Sequence, residues 1–137
     1  MEVTLAVACD YANIADSGKL NIMGVFQEIY PVQFPTAIAQ MFLIVSWEAG
    51  PAEFGTQKNV SMAFVDEDGN VKVNLEGPIV VPHPTRPGRR VYFNQLLSLG
   101  GLPIELPGEH AFLILSGGEE KKRVPLYVNE PNAGGVQ

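Results

Sequence analysis

Three groups of residues in this chain could do chemistry, and spacing decides what each is good for. Catalysis by side chains needs a nucleophile beside a base, a pair of carboxylates, or a metal with an open position. The histidines are His83 and His110, and the one cysteine is Cys9. Their separations make no metal-ligand motif, and no lysine or histidine neighbours Cys9 in sequence to favour its thiolate, so Cys9 reads as a small core residue. His110 opens an apolar strand and reads as a ring that packs and hydrogen-bonds in the core. His83, between Pro82 and Pro84, reads as a solvated loop residue. Asp66, Asp68 and Asn70 repeat the first spacings of a calcium loop. The sixth position is Val71 where the sharp turn needs glycine, and the twelfth is Gly77 where a bidentate glutamate should stand, so the segment reads as a plain hairpin turn. No catalytic residue, metal or cofactor is expected, and the chain reads as a non-enzyme.

The most interesting polar feature is a cluster of guanidinium groups, Arg86, Arg89 and Arg90, flanking Pro87-Gly88. Guanidinium forks suit phosphates and carboxylates, which makes these three candidates for an anion site. The plainer reading is that they pair with carboxylates across the surface of an acidic protein. A second basic run, Lys121-Lys122-Arg123, sits where charges on an exposed strand edge guard against edge-to-edge association. The net charge of −6 excludes general nucleic-acid binding, which depends on neutralising phosphates. That average hides an asymmetry: residues 1–85 hold three basic and ten acidic groups, net −7, whereas residues 86–137 hold six and five, net +1.

Strands must position these groups. The 14 glycines and 11 prolines are spread as punctuation between short apolar runs, the distribution that many short strands require. Period-two alternation is clearest in the closing hairpin, where His110, Phe112 and Ile114 share one face and Ala111, Leu113 and Leu115 the other. Gly117-Gly118 supplies the turn. In the returning strand Val124, Leu126 and Val128 point inward, and Pro125 implies an edge or a bulge. Upstream, a strand over residues 3–9 puts Val3, Leu5, Val7 and Cys9 on one face, with turn chemistry over residues 10–19. A strand over 20–30 follows, in which Gly24 marks a bulge or a close backbone approach. Residues 31–37 form a crossing loop, residues 40–49 a strand, and residues 59–65 and 71–75 a hairpin. Residues 77–88, with four prolines in twelve positions, read as a long irregular loop. A strand over 89–97 then leads through Gly100-Gly101 to a corner at Pro107.

The expectation is an all-β fold: a two-sheet antiparallel β-sandwich of about eight strands, immunoglobulin-like or jelly-roll-like, formed by residues 1–128 with a flexible tail at 129–137. Apolar side chains on both faces of residues 41–47 and 111–115 need a cover. The loop over 77–88 could lie across them, or a second copy could pack there. Phe42, Ile44, Trp47, Leu113 and Leu115 are therefore interface candidates, and the partner is a second copy of the chain or another protein. The longest wholly apolar run is about five residues, far short of the roughly 20 that span a bilayer, and no secretory leader pattern opens the sequence. With one thiol, the chain reads as soluble and cytoplasmic, with no membrane partner.

The strings Cys9-Asp10-Tyr11-Ala12, Gly18-Lys19-Leu20-Asn21-Ile22 and Gly24-Val25-Phe26 are distinctive, as are the hairpin of residues 65–69, the closing strand of 107–112 and the Val-Pro-Leu run of 124–128. Together they resemble a family of small bacterial proteins known only as a domain of unknown function. The resemblance spans nearly the whole chain, and it implies no activity, cofactor or catalytic residue. The closing strand is also similar to immunoglobulin-like sandwiches, with His110 standing where a tyrosine is usual.

Overall fold

The computed structural model describes residues 1–131 of the chain. Among these described residues nine strands, β1 (Glu2–Ile14), β2 (Leu20–Phe26), β3 (Glu28–Ile29), β4 (Thr36–Ala49), β5 (Gln57–Val65), β6 (Val71–Val80), β7 (Val91–Ile104), β8 (Gly108–Ser116) and β9 (Glu119–Val128), build two packed sheets. One has four strands in the order β2-β1-β4-β7, the other five in the order β3-β9-β8-β5-β6. The expected two-sheet sandwich is what the chain forms. One pairing departs from the antiparallel rule: the two-residue β3 runs parallel to β9.

The core lies between the sheets. Met41, Leu43, Val45 and Trp47 of β4 are fully buried and face Met62 and Phe64 of β5, Phe112 and Ile114 of β8 and Leu126 of β9. Each such side chain contributes roughly 1.5–3 kcal/mol by leaving water, which makes this alternation the main determinant of register. His110 belongs to the same layer. Its ring stacks on Phe64 at 5.4 Å between centroids, and Nδ1 lies 3.2 Å from the Gly108 carbonyl oxygen.

Several boundaries differ from the sequence reading, each for a local reason. The first strand does not end at Asp10. It continues to Ile14, because residues 10–14 pair with β2 and only residues 15–19 form the turn. Within β1, Val3 sits opposite Trp47 while Leu5 sits opposite Ser46. This bulge at Thr4 turns Val3 to the core with Ala6 and Ala8, leaving Leu5, Val7 and Cys9 facing outward. Residues 20–30 are not one strand, since the chain changes sheets at Gln27, whose carbonyl accepts from the Tyr127 N–H at 2.8 Å. Gly24, at φ +70°, does mark a close approach: a Cβ there would stand 2.3 Å from the Asp10 carboxylate.

Residues 77–80 are not loop but the last part of β6, with Pro78 opposite Asn59. Proline is tolerated because β6 is a sheet edge and its outward side has no ladder bond to lose. Likewise β7 does not stop at Leu97. It stays in register with β4 from Val91 opposite Ala49 to Ile104 opposite Thr36. In the closing hairpin the register shifts between Ile114 and Leu115, so Lys121 is bulged, and β3 covers β9 only at Tyr127 and Val128. Asn129, the first residue of the segment expected to be tail, donates its backbone N–H and its amide to the Ile29 carbonyl, at 3.1 and 3.2 Å. Residues 132–137 of that segment lie outside the described residues.

Candidate functional site

The arginine cluster sits on the loop joining β6 to β7, at the end of the sandwich that also carries a 3₁₀ turn, Pro51–Glu53. Backbone bonds tie the two segments together: Gly55 N–H donates to Val81 O at 2.8 Å and Val81 N–H to Thr56 O at 2.9 Å. Two glycines make room for the basic side chains. A Cβ on Gly55 would lie 2.9 Å from His83 Nε2, and one on Gly50 would lie 2.9 Å from Arg90 Nη1. His83 also meets Phe54 edge-on at 5.9 Å. It is exposed, as expected of a loop residue, but docked rather than free.

The three arginines do not act as one group. Arg90 Nε donates to the Glu48 carboxylate, which the plainer sequence reading anticipates for one of the three. Arg86 and Arg89 are exposed, and among the described residues neither has an ion-pair partner. Arg89 and Arg90 line a bay of about 550 Å³ with His83, Thr85 and Tyr92, while Arg86 stands outside it. The Lys-Lys-Arg run has a role beyond guarding an edge. Lys121 of β9 meets Glu2 of β1 at 3.3 Å and so bridges the two sheets.

The interface candidates separate in the same way. Trp47 is fully buried in the main core, and its Nε1 donates to Gln95 Oε1 at 2.6 Å. It shares a face with Val45 and faces away from Phe42 and Ile44, so it is no surface residue of the folded chain. Ile44 points outward from the four-stranded sheet yet is fully buried, because Val7 and Leu96 stand opposite it and Phe42 and Cys9 close around it. Phe42 is half-buried against Tyr11, whose ring meets it edge-on at 5.4 Å. On the other sheet Leu113 and Leu115 are half-buried, with Arg123 and Glu120 as their neighbours on β9. The loop of residues 81–90 packs at the end of the sandwich, with Val81 against Ala49, Phe54 and Val91.

The outward surface of the four-stranded sheet therefore carries two apolar rows, Val7-Ile44-Leu96 and Val25-Cys9-Phe42, which sequence reasoning could only half see. Around them Met23 is 66 % exposed, Val25 52 % and Tyr11 49 %. Burial, and then the Asp10 carboxylate, push the Cys9 thiol above its ordinary value, so it packs here as an inert group.

A third feature lies between the two sheets. β6 and β7 are both sheet edges on the same side of the sandwich, and a cleft of about 220 Å³ opens between them, lined by Leu75, Ile79, Gln95 and Leu97 above Trp47 and Met62. Among the described residues no helix is long and apolar enough to cross a membrane. No curated protein matches the chain. With residues 4–129 matched by its family model, the chain belongs to DUF6941, a family of unknown function.

Proposed function

We propose that this chain is a non-enzymatic β-sandwich that works as an interaction module and associates with a second copy of itself through its four-stranded sheet. The observation that carries this reading is the outward face of that sheet, where Leu5, Tyr11, Met23 and Val25 are exposed around the half-buried Val7, Phe42 and Leu96. Soluble domains seldom leave a contiguous apolar patch uncovered, and self-association is the simplest cover. The test is the solution mass by light scattering at low and high salt. A salt-resistant dimer or larger supports the reading, with Val25→Glu plus Phe42→Glu shifting the mass toward monomer. A monomer under all conditions, or a dimer indifferent to any substitution on this sheet, counts against it.

A second reading rests on Arg89 and His83 beside the bay, with Arg86 nearby: a site for a phosphate or carboxylate group. Thermal shift with inorganic phosphate and small organic acids, compared with Arg86→Ala/Arg89→Ala, separates the two readings. A salt-sensitive shift lost in the variant supports anion binding, and an identical flat response in both argues against it. Arg90 is left intact in that variant because it holds Glu48.

A further inference from the structure

The outer edge of β7 is the longest strand edge without a charge among the described residues. β7 pairs with β4 on one side, and among the described residues nothing pairs with the other. Over its 14 residues, Val91–Ile104, there is not one charged side chain. The other outermost strands, and the open part of β9, are guarded or short. β6 has Lys72, Glu76 and Pro78, the open part of β9 has five charged residues in a row, Glu119 to Arg123, and then Pro125, β2 is only seven residues long with Gly24 within it, and β3 has two residues. Long, uncharged edges are templates for another strand, because their N–H and C=O groups are unsatisfied except by water. Gly100, Gly101 and Pro103 interrupt the far end, so the usable template is residues 91–99, longer than an average strand.

We propose that β7 pairs antiparallel with β7 of a second copy across a two-fold axis, joining two four-stranded sheets into one of eight. This shares with the reading above only that the chain associates with itself: the β7 edge lies at the opposite side of the sheet from β2, and is a line of contact separate from the face around Val25 and Phe42. The occupant follows from charge and from self-matching. Each copy carries net charge −6, so two copies repel at most surfaces. The β7 edge is neutral, and the charges at its ends are already paired, Arg90 with Glu48 at one and Glu105 with Lys72 at the other. A two-fold axis at Gln95 sets Phe93 opposite Leu97 of the second copy and Tyr92 opposite Ser98, apolar beside apolar on the inner side and two exposed residues on the outer. A strand beside β7 also stands about 4.8 Å from it, across the mouth of the cleft, and shields Leu75, which is 42 % exposed.

The test uses the intact chain. Wild-type protein is followed through a wide dilution series by light scattering and by amide hydrogen exchange of residues 91–99. Two variants, Tyr92→Lys/Ser98→Lys and Tyr92→Glu/Ser98→Glu, place like charges opposite each other about the axis. Expected are a dimer of twice the chain mass, β7 amides whose exchange slows with concentration, and a dissociation constant raised about tenfold or more in each variant. Mixing the two variants restores the dimer as a mixed species, which an unrelated defect would not do. A dimer that persists in both variants with unchanged β7 exchange, yet yields to Val25→Glu plus Phe42→Glu, overturns the pairing and leaves self-association standing. A monomer with concentration-independent exchange overturns both. β7 protection that appears only when an unrelated extended apolar peptide is added, with no self-dimer, also overturns it. Should a variant fail to fold, the wild-type exchange data decide.

Discussion

Asn70 donates both its backbone N–H and its side-chain amide to the Asp66 carboxylate, at 2.8 and 3.2 Å, and Asp68 adds a second backbone N–H at 3.0 Å. The acceptor oxygens that resemble a calcium-loop start are thus spent on closing a turn.

These contacts set an acid-side stability. The Asn70 backbone N–H, with its amide, the Asp68 N–H and Lys72 behind it, holds the Asp66 carboxyl below its ordinary value of 3.8. A carboxyl whose folded-state value is depressed contributes stability that is present above the unfolded value, and that is lost as pH falls through the folded one. Urea midpoints measured from neutral pH into the acid range should therefore fall more steeply for wild type than for Asp66→Ala, which starts lower. Parallel curves would remove Asp66 as a contributor.

Gly24 and Asp10 make a tighter test of local geometry. At φ +70° an L side chain is strained, and a Cβ would overlap the Asp10 carboxylate at 2.3 Å. Gly24→Ala should cost about 1–3 kcal/mol in equilibrium unfolding. Adding Asp10→Ala should recover the overlap and leave the backbone strain, so the double variant should sit between. Additive losses would mean that the two residues do not oppose each other as described.

How legible all this was depends on where the information sits. Alternation alone locates β5, β8 and β9, because Met62, Phe112 and Leu126 lie on strands whose two faces differ in polarity. Residues 77–80 and 100–104 were hidden by glycine and proline, which signal breaks in sequence but are carried here by partners far along the chain: Pro78 by Asn59, Leu102 by Ile38. The Thr4 bulge left no local mark, and it reverses the side on which Val3 points. Of the proposed surface residues, Trp47 obeys the same period as Met41 and Val45 and belongs with them in the core. Ile44 shows what composition cannot, that an outward residue can be sealed by its own neighbours. The Glu48 partner of Arg90 lies 42 positions away and could be named only as a class.

The contrast between Trp47 and Phe42 is measurable. Trp47 is fully enclosed and its indole N–H is held by Gln95, so Trp47→Ala should cost about 3–5 kcal/mol, through cavity formation. Phe42 keeps one side open, and Phe42→Ala should cost less, about 1–2 kcal/mol. Chemical denaturation of both variants at a concentration where the wild type is monomeric gives the comparison. Equal losses would place Phe42 deeper than its exposure indicates.

The last expectation concerns the basic loop. The Arg90–Glu48 pair lies at the surface, with the arginine about half exposed, so Arg90→Ala should change global stability by under about 1 kcal/mol, and less at high salt. Its local effect should be larger, because Arg90 over Gly50 and His83 over Gly55 both seat residues 82–90 against residues 50–56. Amides of residues 82–90 should exchange faster in Arg90→Ala, and faster still with His83→Ala added, while the β4 and β8 amides stay unchanged. Uniform acceleration across the chain would mean instead that the loop and the sandwich open as one unit, and that the pair contributes to the whole fold.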